Sequence, residues 1–402
     1  MSVTPSVFVE APIWAVRKAR HKLSRMRDSS RHVPLRTTGK RRGNVLLSYI
    51  FTEFRADVSE EHLQHTNVWE VREMARILLD EGYDVDLIDF CNQNFKPSIE
   101  YTIFIDSRHN LQRLGGEMSK DCVLIHHSDT SHILSQDLAE LSRLHDLQQR
   151  RGVTLAPRRY ELPNLAIEHA HCATVIGNHT TLETFRYARK PLYPLPVPTA
   201  VKYDWNPDKD FDRARTHFLW FGSGGLVRKG LDLALEAFSR APHLHLHICG
   251  PITKEADFVK VYERELFHSP NIHLHGWVEV TSDKFRDILD RCVAVVFPSC
   301  SEGQAGSVAT AMQAGLIPIV SAATGIDADD CGVILEPCGI AEIELVIRAV
   351  AQLPTDILKQ QARLSWELAR ETYTRENYTR TYRAAIQDIM QRFLGETVAD
   401  AA

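Results

Sequence analysis

Residues 293–321 constrain this chain more than any other stretch. Residues 293–297 are β-branched and apolar over the length of a short strand, so they read as a buried strand. Pro298 and Ser299 end it. The loop that follows carries Glu302 and then Gly303, Ala305, Gly306 and Ser307, small residues over which a backbone can come close to a ligand. Residues 307–314 read as a helix stopped by Gly315, and 317–320 as the next strand. Strand, glycine-bearing turn and helix N-terminus in that order is where α/β sheets bind phosphorylated ligands, because unpaired N–H groups and the helix dipole meet there. An acid in the same loop can accept hydrogen bonds from sugar hydroxyls. Anion and polyol recognition side by side suggest a nucleotide-sugar. Taken alone, the stretch fits a plain βα turn with an exposed glutamate equally well.

The remainder of the chain repeats the same alternation. Strand-like runs fall at 44–50, 83–90, 101–105, 122–125 and 173–176, with helical patterns between them at 67–78 and 134–149 and after Asn178. Asn67 with Glu70 has capping-box spacing, and Asn178 caps the helix that runs towards Arg186. The loop after the first strand carries Thr52, Glu53, Arg55 and His65. Residues 191–198 hold four prolines, too many for a helix or a central strand, and read as a stiff connector. A second series opens at His217, with strands at 217–221, 244–249, 272–275, 293–297, 317–320 and 332–336. Three helical segments close the chain, at 341–352, 356–372 and 376–393. Strands alternating with helices mean parallel sheets covered on both faces. The expected architecture is α/β: two Rossmann-like doubly wound domains facing a cleft, with C-terminal helices packing back. The boundaries are a basic extension at 1–42, an N-terminal domain at 43–200, a C-terminal domain at 201–375, and a helix and tail at 376–402.

A chain of 402 residues supports two cores of ordinary size. Its net charge of −5 hides an asymmetry: residues 1–42 hold eleven Lys and Arg against Glu10 and Asp28, a net of +9 that leaves −14 for the rest. Within that extension a basic helix with Ile13, Trp14, Val16 and Leu23 as sparse apolar contacts could lie on an anionic membrane surface. A disordered tail is the alternative. Nucleic-acid binding is disfavoured, since no aromatics interleave the basic residues and the body is acidic. No apolar run reaches the roughly 20 residues that span a membrane, and no signal-peptide order is present. Eight scattered cysteines without a C-x-x-C pair fit a reducing, cytoplasmic setting.

A second glycine-rich turn lies at 222–230. Gly222, Gly224 and Gly225 permit close approach, and Arg228 and Lys229 put cations beside a helix N-terminus. That placement is unfavourable unless an anion is near, and a diphosphate would serve. Two solvated loop cations are the alternative. The spacing does not match the G-x-x-x-x-G-K-[ST] phosphate loop. Histidines 243, 245 and 247 alternate along one strand and 273 and 275 along another, which puts each set on one face. Zinc could be imagined there, but parallel strands space such ligands poorly and no carboxylate or cysteine cluster matches. No metal site is expected.

These motifs resemble the donor domain of retaining GT-B glycosyltransferases of the family 4 type, glycosyl transferases group 1. The resemblance rests on Leu219, Trp220, Phe221 and Gly222 followed by 229–238, on Asn271 to Val278, and on Pro298 to Gly303. It is strong over 215–345, weaker through Glu376 to Tyr382, and weak over 43–190. It implies that Lys229 binds the donor diphosphate and Glu302 the donor sugar, with Gly222, Ser223, Gly224, Arg228, Gly306, Ser307 and Thr310 completing the donor site. Where the family has an arginine this chain has Ser223, for which Arg228 can substitute. Where it has a second glutamate this chain has Thr310. His127, or else His126, matches the histidine that faces the donor across the cleft.

The implied activity is transfer of a sugar, of hexosyl type, from a nucleotide-diphosphate sugar to an acceptor hydroxyl. Retention of configuration, no cofactor beyond the nucleotide-sugar substrate and no essential metal go with it. The expected partners are that donor, a carbohydrate or lipid-linked acceptor in glycan or surface-polysaccharide synthesis, and a membrane surface touched through residues 1–42, at the inner face of a cytoplasmic setting. Two other readings share the fold: a catalytically inactive GT-B-shaped nucleotide-sugar-binding or scaffold protein, and a nucleotide-sugar epimerase.

Overall fold

The computed structural model describes residues 32–50, 66–328 and 330–395. The basic helix expected around Ile13, Trp14, Val16 and Leu23, and the loop residues Thr52, Glu53, Arg55 and His65, lie outside the described residues. The strands are β1 (His32–Leu35), β2 (Gly43–Tyr49), β3 (Tyr83–Asp89), β4 (Ile103–Asp106), β5 (Val123–Ser128), β6 (Cys172–Ile176), β7 (Leu192–Leu195), β8 (His217–Phe221), β9 (His245–Cys249), β10 (Ile272–Gly276), β11 (Ala294–Phe297), β12 (Ile317–Ser321) and β13 (Val333–Leu335). They form a seven-stranded sheet in the order β1-β3-β2-β4-β5-β6-β7 and a six-stranded sheet in the order β10-β9-β8-β11-β12-β13. The described chain is thus α/β with two sheets, as the alternation of its segments predicts.

The described chain separates into two compact units. One holds the residues through His127, together with Asn164–Cys172 and those from Met390 onward; the other holds Ser128–Pro163 and Ala173–Ile389. In the first unit β2 runs parallel to both β3 and β4, and β4 to β5. Val45, Leu46, Leu47 and Ile103 are fully buried there. β1, from within the basic extension, adds an antiparallel edge, with His32 opposite Ile88 and Leu35 opposite Val85. Helix Thr66–Asp80 packs on β3. Asn67 lies within the helical span and so is not its cap. Glu70 is buried, with its Oε1 2.8 Å from His127 Nε2.

In the second unit every pair of the six-stranded sheet is parallel. Leu219, Trp220, Val295, Val296, Ile319 and Val320 are fully buried, as central strands covered on both faces require. The proline-rich stretch at 191–198 differs from its sequence reading: Leu192–Leu195 is a strand parallel to β6. It lies at a sheet edge, where a proline leaves no ladder bond unmade. Asn178 does cap a helix, through Thr180 N, but that helix ends at Glu183, short of Arg186.

Helix Ile133–Arg151 and the segment after it join helix Leu231–Ser239 and its neighbours through arginines. Arg150 meets Asp232 at 2.6 Å, Arg151 meets Glu236 at 3.0 Å and Glu265 at 2.7 Å, and Arg158 pairs with Asp257. Helices Ile340–Gln352, Thr355–Thr372 and Arg375–Leu394 follow at the C-terminus. The second of them is tied down by Gln313, whose Nε2 donates to Ala369 O at 2.9 Å. Among the described residues no helix is long and apolar enough to cross a membrane. All eight cysteines are free thiols.

Candidate functional site

Two loops at the carboxyl ends of β8 and β11 build the site, and they are stitched together. Cys300 N donates to Arg228 O at 2.8 Å, Ser299 Oγ to the same oxygen at 3.2 Å, and Arg228 Nη1 to Ser301 O. Gly230 makes the close approach possible. Its φ is +71°, and a Cβ there would stand 2.3 Å from Pro298 O. Trp220, fully buried beneath, donates its indole N–H to Lys229 O at 3.2 Å.

Within this frame Lys229 Nζ lies 2.8 Å from Glu302 Oε1, and Arg228 Nη1 lies 3.5 Å from the same oxygen. Ser299 Oγ lies 3.0 Å from it too, so its one hydroxyl proton is shared between Glu302 Oε1 and Arg228 O. Arg228 is 2% exposed and Lys229 7%, so the reading of the two as solvated loop cations fails. Nor do they wait on an outside anion for a partner, as the sequence suggested, because Glu302 already provides one. Burial alone would raise the Glu302 carboxyl, but the Arg228 and Lys229 charges reverse that and hold it at about 2. Burial pushes Lys229 down to about 8, with Glu302 opposing the shift and Arg228 adding to it. At neutral pH Lys229 and Glu302 are therefore ionised, and with the Arg228 guanidinium, which keeps its proton in proteins, these three groups together carry one positive charge in excess. A buried excess charge is costly unless a counter-charge can reach it.

The other sequence candidates are committed in distinct ways. Gly222 closes on the neighbouring strand, donating to Cys249 O at 3.0 Å. Ser223 and Gly224 are exposed. Helix Gly306–Met312 starts one residue earlier than expected, at Gly306, with Ser307 next. Thr310 is buried and spends its hydroxyl proton on Gly306 O at 2.7 Å, one helical turn back, so only its oxygen lone pairs are left to meet a ligand.

His127 belongs to the first compact unit. Its Nε2 is 2.8 Å from Glu70 Oε1, and Tyr49 sits edge-on to its ring at 5.1 Å while sharing the same carboxylate. His126 is also buried. Three participants escaped the sequence reading. Ser299 and Ser301 lie within a quoted motif but look like spacer. Glu255, which grips the glycine turn from 30 residues away, follows a Gly-Pro-Ile-Thr-Lys run with no local signature.

The histidines form a ladder instead of a metal site. His243 lies outside β9, and His217 of β8 joins His245, His247, His273 and His275 on one face of the sheet. Ring nitrogens pair directly: His217 with His247 at 2.9 Å, His245 with His273 and His247 with His275 at 3.0 Å. Their lone pairs and protons meet one another rather than converging on a point. Among the described residues no group of three or more His, Cys, Asp or Glu is placed to hold a metal ion. The ladder borders a cavity of about 570 Å3 with Arg213, Asp287 and Arg291 on its other walls.

Residues 215–354, about a third of the chain, match the family model of glycosyl transferases group 1. A search of the curated proteins returns no relative. Among solved structures, the sucrose-phosphate synthase (tll1590) of Thermosynechococcus elongatus is similar at a TM-score of 0.59 and 13% identity, over 88% of this chain and 100% of that one. Anabaena Alr3699/HepE, solved with UDP-glucose, gives 0.55 and 13% over 87% and 100%. TarM gives 0.50 and 13% over 73% of this chain, which spans only 55% of that longer protein. With its two largely parallel sheets the chain has the GT-B fold of those structures, and its second half carries the glycosyl transferases group 1 match.

Proposed function

We propose that this protein is a glycosyltransferase that moves a sugar from a nucleotide-diphosphate sugar to an acceptor hydroxyl. The observation that supports this most is the charge imbalance at Arg228, Lys229 and Glu302, buried where the carboxyl ends of two parallel strands meet. Carboxyl ends of strands are where open α/β sheets bind ligands. A diphosphate matches the excess positive charge, and as it departs Lys229 and Arg228 stabilise the charge that develops on it. A diphosphate at Lys229 also releases Glu302 to accept hydrogen bonds from hydroxyls of the attached sugar. The UDP-glucose bound to HepE is a donor of the proposed class.

The finer assignments are part of the same proposal. The transfer is of hexosyl type with retention, needs no metal or further cofactor, and serves glycan or surface-polysaccharide synthesis in a cytoplasmic setting, on a carbohydrate or lipid-linked acceptor. Residues 1–42 supply the peripheral membrane contact. His127, clamped by Glu70, is the acceptor-side candidate.

The test is a panel of nucleotide-sugars scored for thermal stabilisation and for release of nucleoside diphosphate. One donor is expected to raise the melting temperature and to be turned over, with Lys229→Ala and Glu302→Ala each slowing release by about 10²–10³-fold. Binding without release in the presence of acceptor extracts would favour the scaffold alternative. No stabilisation by any donor would refute the proposal.

A further inference from the structure

The glycine-rich turn after β8 has two differently committed sides. The N–H groups of Ser223 and Gly224 meet no acceptor among the described residues. Those of Gly225 and Leu226 both meet one carboxylate: Glu255 Oε1 accepts from Gly225 N at 2.5 Å and from Leu226 N at 3.3 Å, and its Oε2 also lies 3.3 Å from Leu226 N. Successive N–H groups around a residue of positive φ, here Gly225 at +85°, make a concavity that favours an anion. The chain supplies that anion itself. Glu255 is 7% exposed, and the Arg158 guanidinium, which it shares with Asp257, lies 3.5 Å from Oε2.

The consequence runs through one peptide group. The Leu226 N–H held by Glu255 and the Gly225 carbonyl are the two ends of the same peptide unit. That carbonyl accepts from Lys229 N at 2.9 Å, and the next one, Leu226 O, accepts from Leu231 N at 3.0 Å. Bonds in series polarise one another. Glu255 therefore pulls on one end of the peptide whose other end fixes the backbone of Lys229, and the next peptide starts helix Leu231–Ser239.

We propose that Glu255 is a positioning residue for the donor site. Its carboxylate fills the rear of the turn, fixes the backbone that presents Lys229, and leaves the Ser223 and Gly224 N–H groups as the side on which the donor diphosphate binds. The inference rests on the donor reading above. A carboxylate that merely occupied the diphosphate's place would behave in the opposite way, since its removal would tighten binding.

The experiment compares full-length wild type with Glu255→Ala, Glu255→Gln and Arg158→Ala. UDP, GDP and ADP and their glucose conjugates serve as probes, and Kd, KM and kcat are measured separately. A charge-assisted hydrogen-bond set of this kind predicts about a tenfold rise in Kd and KM for Glu255→Ala. The change in kcat should be smaller than the change in KM. Glu255→Gln, which keeps one acceptor oxygen, should lose about threefold and Arg158→Ala less than that. If Glu255→Ala does not fold, Glu255→Gln at unchanged melting temperature decides by the same threefold criterion. Unchanged or tighter binding in the Glu255 variants, with a wild type that binds donor, overturns this inference alone. A wild type that binds and turns over none of the probes overturns the donor reading and this inference with it.

Discussion

Two groups of ionisable side chains on the six-stranded sheet follow opposite rules. At the carboxyl ends of β8 and β11, two buried cations share one carboxylate. On one face of β8, β9 and β10, five histidines share protons with one another. The ladder balances internally. Burial pushes His217 down to about 4 and His247 to about 3, neighbouring imidazoles push the same way, and His245, His273 and His275 are lowered too, so the ladder is uncharged at neutral pH. Arg228, Lys229 and Glu302 do not balance, and that excess charge is what the proposed diphosphate would meet. A dense cluster of functional groups is thus weak evidence of function when its members satisfy each other. A smaller cluster with a charge left over is stronger evidence.

The sharpest way to break this comparison is to remove the shared carboxylate. Glu302→Ala leaves Arg228 and Lys229 buried with no carboxylate partner, which should cost about 3–5 kcal/mol of stability on top of the lost activity. Chemical denaturation reads the first effect. A variant as stable as wild type would mean that the cluster is solvated after all. Next in size is Gly230→Ala. It forces a side chain into a positive φ, at a cost of about 1–2 kcal/mol, and against Pro298 O, so both stability and donor affinity should fall together. An unchanged donor Kd would show that the two loops need not touch.

The ladder makes a pH prediction of definite sign. An unfolded imidazole takes up its proton near pH 6.5, while His217 and His247 in the folded chain wait until about 4 and 3. As the pH falls through that window the unfolded state binds protons first, so stability should drop from about pH 6.5 downward. His247→Gln should flatten that slope and leave donor affinity at about pH 7.5, above the titration window, unchanged. A change in donor affinity would mean that the two regions are coupled. The smallest effect expected is that of Thr310→Val, about 1 kcal/mol or less of stability for one hydroxyl bond to Gly306 O. Donor affinity should fall by less than about threefold, because the hydroxyl proton is committed and only an accepting contact could be lost; a larger loss would give Thr310 a ligand.

Much of this was legible in the sequence for a physical reason. Central parallel strands are continuous apolar runs, and their turns need glycine, so β8, β11 and β12 and the loops after them stand out locally. Lys229 and Glu302 could be nominated from those loops one at a time. What sequence could not supply is pairing at a distance. Glu302 lies 73 residues from Lys229, Glu255 30 from Gly225, and Glu70 57 from His127. The edge strands β1 and β7 were hidden for a different reason. An edge has one unpaired side and tolerates the charge and proline that disqualify a central strand, so His32–Leu35 and Leu192–Leu195 look like tail and connector.

The central claim, that the excess charge at Lys229 and Arg228 is there for a diphosphate, is tested most directly by calorimetric titration of UDP, GDP and ADP into wild type and Lys229→Ala. One of the three is expected to bind wild type and to lose at least about tenfold in affinity when Lys229 is removed, as loss of a charged contact predicts. Equal affinity in the two proteins, or no binding by any of the three, would contradict it.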